Sequence, residues 1–167
     1  ISSIDSLDQI LVFEDSSTNP NLRLDYLDSE KKLEEFLNFI SRSKITRNVL
    51  KFNKVYLPTK FTYSNNLLKK YSINCSEVIL PTSQSINEFT NSFSNWTVEK
   101  VHIPSSIIKI DKNIFPDSTN VTREFNEEIL NLIKNNELHL NSLQNISSFN
   151  FSLDIEKLDN YFFSFNN

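Results

Sequence analysis

One six-residue pattern occurs three times in this 167-residue chain, and each copy begins 23 residues after the previous one. The pattern is a charged residue, Val, a variable residue, Leu or Ile, Pro, and Thr or Ser, at positions 54–59, 77–82 and 100–105. Three of the five prolines fall in this one register. Because repetition at a fixed period is the signature of stacked units, we predict an array of three repeats.

Each copy has the pattern of a short β-strand. Val and Leu or Ile occupy alternate positions, which places two good strand formers on one face. Pro has no N–H group and ends each strand at the same point. Apolar residues of the third unit then recur three or four positions apart and are expected to fold back beneath the strand: Ile107, Ile110, Ile114, Phe115 and Val121. Stacking buries apolar sides that one unit cannot bury alone, so we predict a parallel solenoid with one strand per repeat.

The third unit reads Val101-x-Ile103-Pro104-x-x-Ile107-x-x-Ile110-x-x-x-Ile114-Phe115-x-x-Ser118-x-x-Val121. This pattern resembles the BspA-like leucine-rich repeat, a family whose unit has the same length and opens with an Ile-Pro-bearing strand. The resemblance covers residues 54–122 and is strongest in the third unit, although Asp111, Ile114 and Ser118 stand where the family usually has Gly, a small residue and Cys. It implies a protein-binding repeat of the kind found in surface proteins of bacteria and protists.

The segments that flank the repeats are expected to cover the ends of the stack. Residues 28–44 have apolar positions at helical spacing behind a capping Asp28 or Ser29, and residues 15–21 have the composition of a loop. We therefore predict one α/β domain, a short leucine-rich-repeat-like solenoid with a parallel sheet. Its parts are a helical N-terminal cap (1–53), three repeats (54–122) and a C-terminal helix with an aromatic-rich capping segment (123–167).

Within that last part, the spacing of apolar residues predicts a helix over 123–136, and alternation predicts strands at 138–140 and 149–153. The aromatic residues near position 167 favour a cap on the solenoid. The alternative is a terminal structural fragment of a longer repeat protein, in which these residues pack on further repeats and the uncovered ends of the solenoid allow self-association.

Composition excludes several classes of function. The chain has no Gly, Ala or Met but 23 Asn and 23 Ser, which is typical of an AT-rich genome. Without Gly, neither a P-loop nor a dinucleotide fingerprint can form, and left-handed turn positions must fall to Asn or Asp. A net charge of −4 gives no attraction to nucleic acid, and no apolar run is long enough for membrane insertion. The compartment, cytoplasm or cell surface, stays open.

Catalytic, cofactor and metal sites are not predicted. The two histidines, His102 and His139, have no convergent ligands beside them in sequence, and no nucleophile lies in a glycine-flanked elbow. Cys75 and Trp96 are expected to be core residues. The alternative is an enzyme whose site lies in the C-terminal third, scaffolded by the repeats, around His139 and the carboxylates of Glu127, Glu128 and Glu137.

One surface stands out. If the strands stack in register, the outward positions form one column of Lys54, Glu77 and Lys100 and a second column of Tyr56, Ile79 and His102. The first column alternates in charge, so its members can pair laterally. The second is semi-apolar, and exposed aromatic residues on such a face are typical of protein contact. We therefore predict a non-catalytic protein–protein interaction module that binds an unidentified protein partner through these six residues.

Overall fold

The computed structural model describes residues 11–13, 19–42, 51–82, 87–110, 113–135 and 148–151. The fold is mixed α/β. Its strands and helices, in chain order, are β1 (Leu11–Phe13), β2 (Pro20–Arg23), α1 (Glu30–Arg42), β3 (Phe52–Tyr56), β4 (Asn74–Ile79), β5 (Glu88–Phe89), β6 (Thr97–Ile103), β7 (Lys109–Ile110), β8 (Asn120–Phe125), α2 (Glu127–Lys134) and β9 (Ser148–Phe151). A single 3₁₀ turn, Leu68–Lys70, follows β3.

The main sheet contains seven strands in the order β1-β2-β3-β4-β6-β8-β9. The β1–β2 pair is antiparallel, and the five following pairs are parallel. Strands β3, β4 and β6 pair at the 23-residue offset of the repeat, since Lys54 lies opposite Glu77 and Glu77 lies opposite Lys100. The predicted parallel pairing of the three repeated strands, with its register, is confirmed.

The inward positions of these strands form the core. Val55, Val78 and Val101 occupy one buried row, and Leu57, Leu80 and Ile103 occupy the next. Cys75 and Trp96 are buried as expected, and the Trp96 indole N–H donates to the carbonyl of Leu68 at 2.9 Å. This hydrogen bond stabilises the fold, because burial removes the indole N–H from water and an unpaired buried donor would cost free energy.

A second layer closes the core from the other side. Strands β5 and β7 pair in parallel there, with Phe89 opposite Ile110. Phe93 stacks between Phe89, at 5.8 Å, and Phe115, at 5.4 Å. Phe93 is fully buried, and the ring pairs add directional packing to a core made mostly of aliphatic side chains. The residues predicted to fold back beneath the third strand are all buried, but Val121 lies on β8 of the main sheet, opposite Val101, rather than in this second layer.

Helix α1 agrees with the sequence prediction. Ser29 is the N-cap residue, because its hydroxyl accepts from the N–H of Lys32 at 3.3 Å. The face that packs against the core is the predicted one, with buried side chains at Leu33, Phe36, Leu37 and Ile40. Its ends lie two residues inside the predicted range of 28–44.

Two predictions about the flanks are wrong. The loop predicted over residues 15–21 is wrong at 20 and 21, because strand β2 begins at Pro20 and pairs with β3; residues 15–18 lie outside the described residues. The C-terminal helix was expected to begin at 123, but residues 120–125 form β8, which pairs with β6, and the helix begins at Glu127. Backbone pairing with an existing strand outweighs the helical spacing of the apolar residues here. The strand predicted at 149–153 is present as β9, whereas the one at 138–140 lies outside the described residues.

The left-handed backbone conformation in the described residues occurs at an Asn, one of the two residue types that the composition predicted for it. Among the described residues, Asn66 is the one with a positive φ, 64°. Asn tolerates this region better than other residues with a Cβ. Across all the residues that the structure describes, no helix is both long enough and apolar enough to cross a membrane.

Candidate functional site: the outward face of the parallel sheet

The six predicted contact residues lie on three adjacent strands. Strand β3 carries Lys54 and Tyr56, β4 carries Glu77 and Ile79, and β6 carries Lys100 and His102. They alternate with the buried Val and Leu or Ile positions of the same strands, so they face away from the core. Their side chains range from half-buried to exposed, and the structure brings all six together on one face.

The semi-apolar column continues beyond the repeats. Arg23 on β2 lies opposite Tyr56, and Thr122 on β8 lies opposite His102. We call the row Arg23, Tyr56, Ile79, His102 and Thr122 the outward strip. With neighbouring parallel strands about 4.8 Å apart, the strip runs across five strands and spans about 19 Å.

Arg23 closes one end of the outward strip. Its guanidinium lies 3.8 Å from the centre of the Tyr56 ring, which is the geometry of a cation–π contact. Asp25 holds it in place by accepting from Nε at 3.1 Å and from Nη2 at 2.7 Å. One ring face of Tyr56 is therefore covered, and the tyrosine is ordered before any partner binds.

His102 closes the other end. Its Nδ1 lies 2.8 Å from the Thr122 hydroxyl, and its Nε2 lies 3.6 Å from a carboxylate oxygen of Glu124. Both ring nitrogens thus face polar groups on β8. The imidazole is held across two strands, while 39% of its side chain stays accessible to solvent.

Between these ends the surface is concave. A depression of about 190 Å³ lies over β4 and β6, and it is lined by Glu77, Val78, Ile79, Leu80, Thr82, His102 and Pro104. Its floor is largely apolar, with one carboxylate at the margin. A depression of this size accepts a side chain of a partner but is small for a drug-sized ligand.

The charged column behaves differently from the prediction of lateral pairing. Ion pairs of described residues on or beside the sheet join Arg23 to Asp25, Lys51 to Glu99 and His102 to Glu124. The hydrogen bond from Lys51 lowers the pKa of the Glu99 carboxyl. Glu77 and Lys100 lie at paired register positions without an ion pair between them in the described part of the chain.

The described residues offer little for chemistry. No group of three His, Cys, Asp or Glu side chains that could hold a metal ion is found among them. Burial raises the pKa of the Cys75 thiol to about 12, so this thiol stays protonated and unreactive. Glu127 and Glu128 are exposed on α2, while His139 and Glu137 lie outside the described residues.

Comparison of the chain with family models, with curated proteins and with solved structures finds no match in any of the three. The resemblance to BspA-like repeats therefore stays a prediction. We infer the role of the outward strip from its geometry.

Sequence reasoning missed Arg23, Thr122 and Glu124. Arg23 lies before the repeats, and helix α1 separates β2 from β3, so no fixed period connects them. Thr122 follows His102 by 20 residues rather than 23, because the turn after the third strand is shorter. The Val101–Val121 pair was the available signal, since Val55, Val78 and Val101 already share this register on the three repeated strands.

Proposed function

We propose that this chain is a non-catalytic protein-binding module, built as a short leucine-rich-repeat-like solenoid similar to the BspA-like family. The outward strip is its docking surface. The observation that carries the proposal is the side-by-side placement of Tyr56, Ile79 and His102 on adjacent parallel strands, with a depression between them. Aromatic and apolar side chains held on a rigid sheet are typical anchors of protein interfaces.

The chemistry of the strip defines what the partner must offer. An apolar side chain of the partner fills the depression over Ile79, and a cationic group next to it meets the carboxylate of Glu77. Tyr56 and Arg23 form a preorganised wall on one side, since the Asp25 ion pair fixes the guanidinium beforehand. Preorganisation reduces the entropy lost on binding. The area is small, so we expect an interface at the low end of the standard size.

The experiment is affinity capture from the source cell with three forms of the chain. The first is wild type, the second is Tyr56→Ala/Ile79→Asp/His102→Ala, and the third is Tyr26→Ala. Tyr26 is the matched control, because it is a 46% exposed aromatic residue that packs edge-on against Phe36 of α1 and is not one of the five strip residues. Circular dichroism of each form verifies that it is folded.

We expect wild type and Tyr26→Ala to retain the same protein, and the triple variant to lose it. Because the triple variant removes three neighbouring side chains of the strip, we expect the affinity to fall by about 30-fold or more. A protein that all three forms retain equally binds elsewhere and would overturn the proposal. If sedimentation instead shows that the wild type dimerises and the triple variant does not, the strip is a surface for self-association rather than for a different partner.

A further inference from the structure

A second concave site lies apart from the outward strip and shares no residue with it. We call it the aromatic pocket. Its lining combines aromatic, polar and acidic residues: Phe61, Thr62, Tyr63, Pro81, Glu88, Phe89, Thr90 and Asn91. Its volume is about 50 Å³ and it opens to solvent. One water needs about 10–15 Å³ on this measure, so the pocket accepts a group of several heavy atoms.

The three rings of the pocket are inclined to each other rather than stacked. Phe61 and Tyr63 lie 5.3 Å apart at 49°, and Tyr63 and Phe89 lie 5.9 Å apart at 86°. Phe61 and Tyr63 are partly accessible walls of the pocket, whereas Phe89 is 5% exposed and stacks on Phe93 with one face. The faces of aromatic rings carry partial negative charge and attract cations, so walls of this kind favour a positively charged guest.

Glu88 supplies a full negative charge at the same place. It is exposed on β5 and forms no ion pair or hydrogen bond with another described residue. The nearest cation by register is Lys109, which lies opposite Glu88 on β7. The described lining of the pocket therefore combines three rings with a carboxylate that forms no ion pair to a described residue, and it contains no basic side chain.

The walls are held in place before any ligand binds. Asn91, 2% exposed, ties the segment after β5 to the loop after β3 by accepting from the N–H of Leu68 and donating to the carbonyl of Ser64, both at 2.9 Å. Tyr63 donates its hydroxyl to the carbonyl of Pro58. Both sides of the pocket are thus fixed by buried or partly buried hydrogen bonds, and such preorganisation favours tight recognition of a small group.

We propose that the aromatic pocket binds a methylated ammonium group. Such a cation is too bulky and too weakly hydrated to prefer water strongly, its methyl groups contact ring faces, and its charge meets Glu88. Four heavy atoms around one nitrogen match the space available. The same chemistry occurs in a free quaternary ammonium compound and in a methylated lysine side chain of a protein, and the experiment separates the two.

The test is proton NMR of the ligand methyl groups during titration with the full chain. The probes are choline, a short peptide that contains trimethyllysine, and 3,3-dimethyl-1-butanol, the neutral isostere of choline. We expect an upfield shift of the N-methyl signal, caused by the rings, and binding of choline about 5-fold or more tighter than binding of the neutral alcohol. Tighter binding of the peptide than of choline identifies methylated lysine as the source, and the reverse identifies a free compound.

Three variants and one control make the outcome decisive. Phe61→Leu and Glu88→Gln should each weaken choline binding by about 3-fold or more, whereas Lys109→Gln should strengthen it by removing a competing cation. Phe39→Leu is the control, because Phe39 is also a partly buried ring packed against the core but lies on α1. Three results would each overturn the proposal. They are equal affinity for choline and the neutral alcohol, no binding of any of the three probes, and an equal loss of choline affinity in Phe39→Leu and Phe61→Leu.

Discussion

Strands β3, β4 and β6 share the repeated six-residue pattern, whereas β8 pairs with β6 in the same sheet but lacks that pattern. In the repeated strands the last inward position holds Leu57, Leu80 and Ile103, all buried aliphatic residues. In β8 the residue opposite Ile103 is Arg123, which is also fully buried. The difference teaches that backbone pairing extends the sheet beyond the point where the side-chain pattern of the core ends.

Arg123 is poorly accommodated at this position. Its Nη2 donates to the carbonyl of Ile108 at 3.2 Å, but Nε and Nη1 have no hydrogen-bond partner among the residues that the structure describes. Burial lowers the pKa of the guanidinium to about 10, so it still carries its charge at neutral pH. Burying a charge without full pairing costs several kcal/mol. The repeated region is thus dry and apolar, and the β8 region carries an electrostatic penalty.

The largest expected effect concerns the apolar row of the repeated strands. Leu80→Ala should lower the free energy of unfolding by about 2–5 kcal/mol, because it removes a buried side chain and leaves a cavity between two neighbours of the same row. Urea denaturation monitored by Trp96 fluorescence measures the loss. Ile79→Ala, one residue earlier on the outward face, should cost less than half as much. Equal costs for the two substitutions would show that the faces of β4 are not distinct.

The next effect has the opposite sign and lies in β8. Arg123→Met removes the buried charge and keeps an unbranched apolar stem, so stability should stay the same or rise by about 1–4 kcal/mol. Arg23→Met is the contrasting variant: it removes a half-exposed arginine with an ion pair and a ring contact, and should lower stability by up to about 1 kcal/mol. Strong destabilisation by Arg123→Met would mean that the guanidinium is paired. The buried polar groups of the β8 region would then be as well accommodated as the apolar side chains of the repeated strands.

A pH series sharpens the description of the repeated region. Burial raises the pKa of the Cys75 thiol from 9.0 to about 12. The native state therefore favours the protonated thiol, so its contribution to stability is fully present below about pH 9 and is lost as pH rises from about 9 toward 12. The slope is about 1.4 kcal/mol per pH unit at most.

The variant that isolates this effect is Cys75→Val, since Val98 occupies the equivalent buried position on the next strand. The stability difference between wild type and this variant should shift by about 2 kcal/mol against wild type between pH 8 and pH 10.5. Urea denaturation at both values gives the number. A difference that stays constant with pH would place the thiol in a hydrated environment, contrary to a dry core.

The repeated region was predictable because local and long-range signals coincide there. Val and Leu favour a strand, Pro ends it, and the 23-residue offset fixes which residues lie opposite each other, so Lys54, Glu77 and Lys100 could be aligned from sequence alone. In β8 the same signals disagree. Arg123 replaces the aliphatic residue, Pro is missing, and Phe125 falls at helical spacing from the apolar residues of α2. The outward strip was therefore predicted in its centre and missed at both ends.

The smallest effect tests how β8 passes into α2. Asn126 separates them and caps the helix, because its Oδ1 accepts from the N–H of Ile129 at 3.0 Å. Asn126→Ala should cost about 1 kcal/mol in unfolding free energy, whereas Asn126→Asp should be close to neutral, since both Asn and Asp accept from the first helical N–H groups. Hydrogen exchange of the α2 amides should accelerate in the Ala variant and leave β3, β4 and β6 unchanged. If exchange instead rises across the repeated strands as well, then the β8–α2 region is as strongly coupled to the core as the repeats are to each other, and the boundary between the two regions disappears.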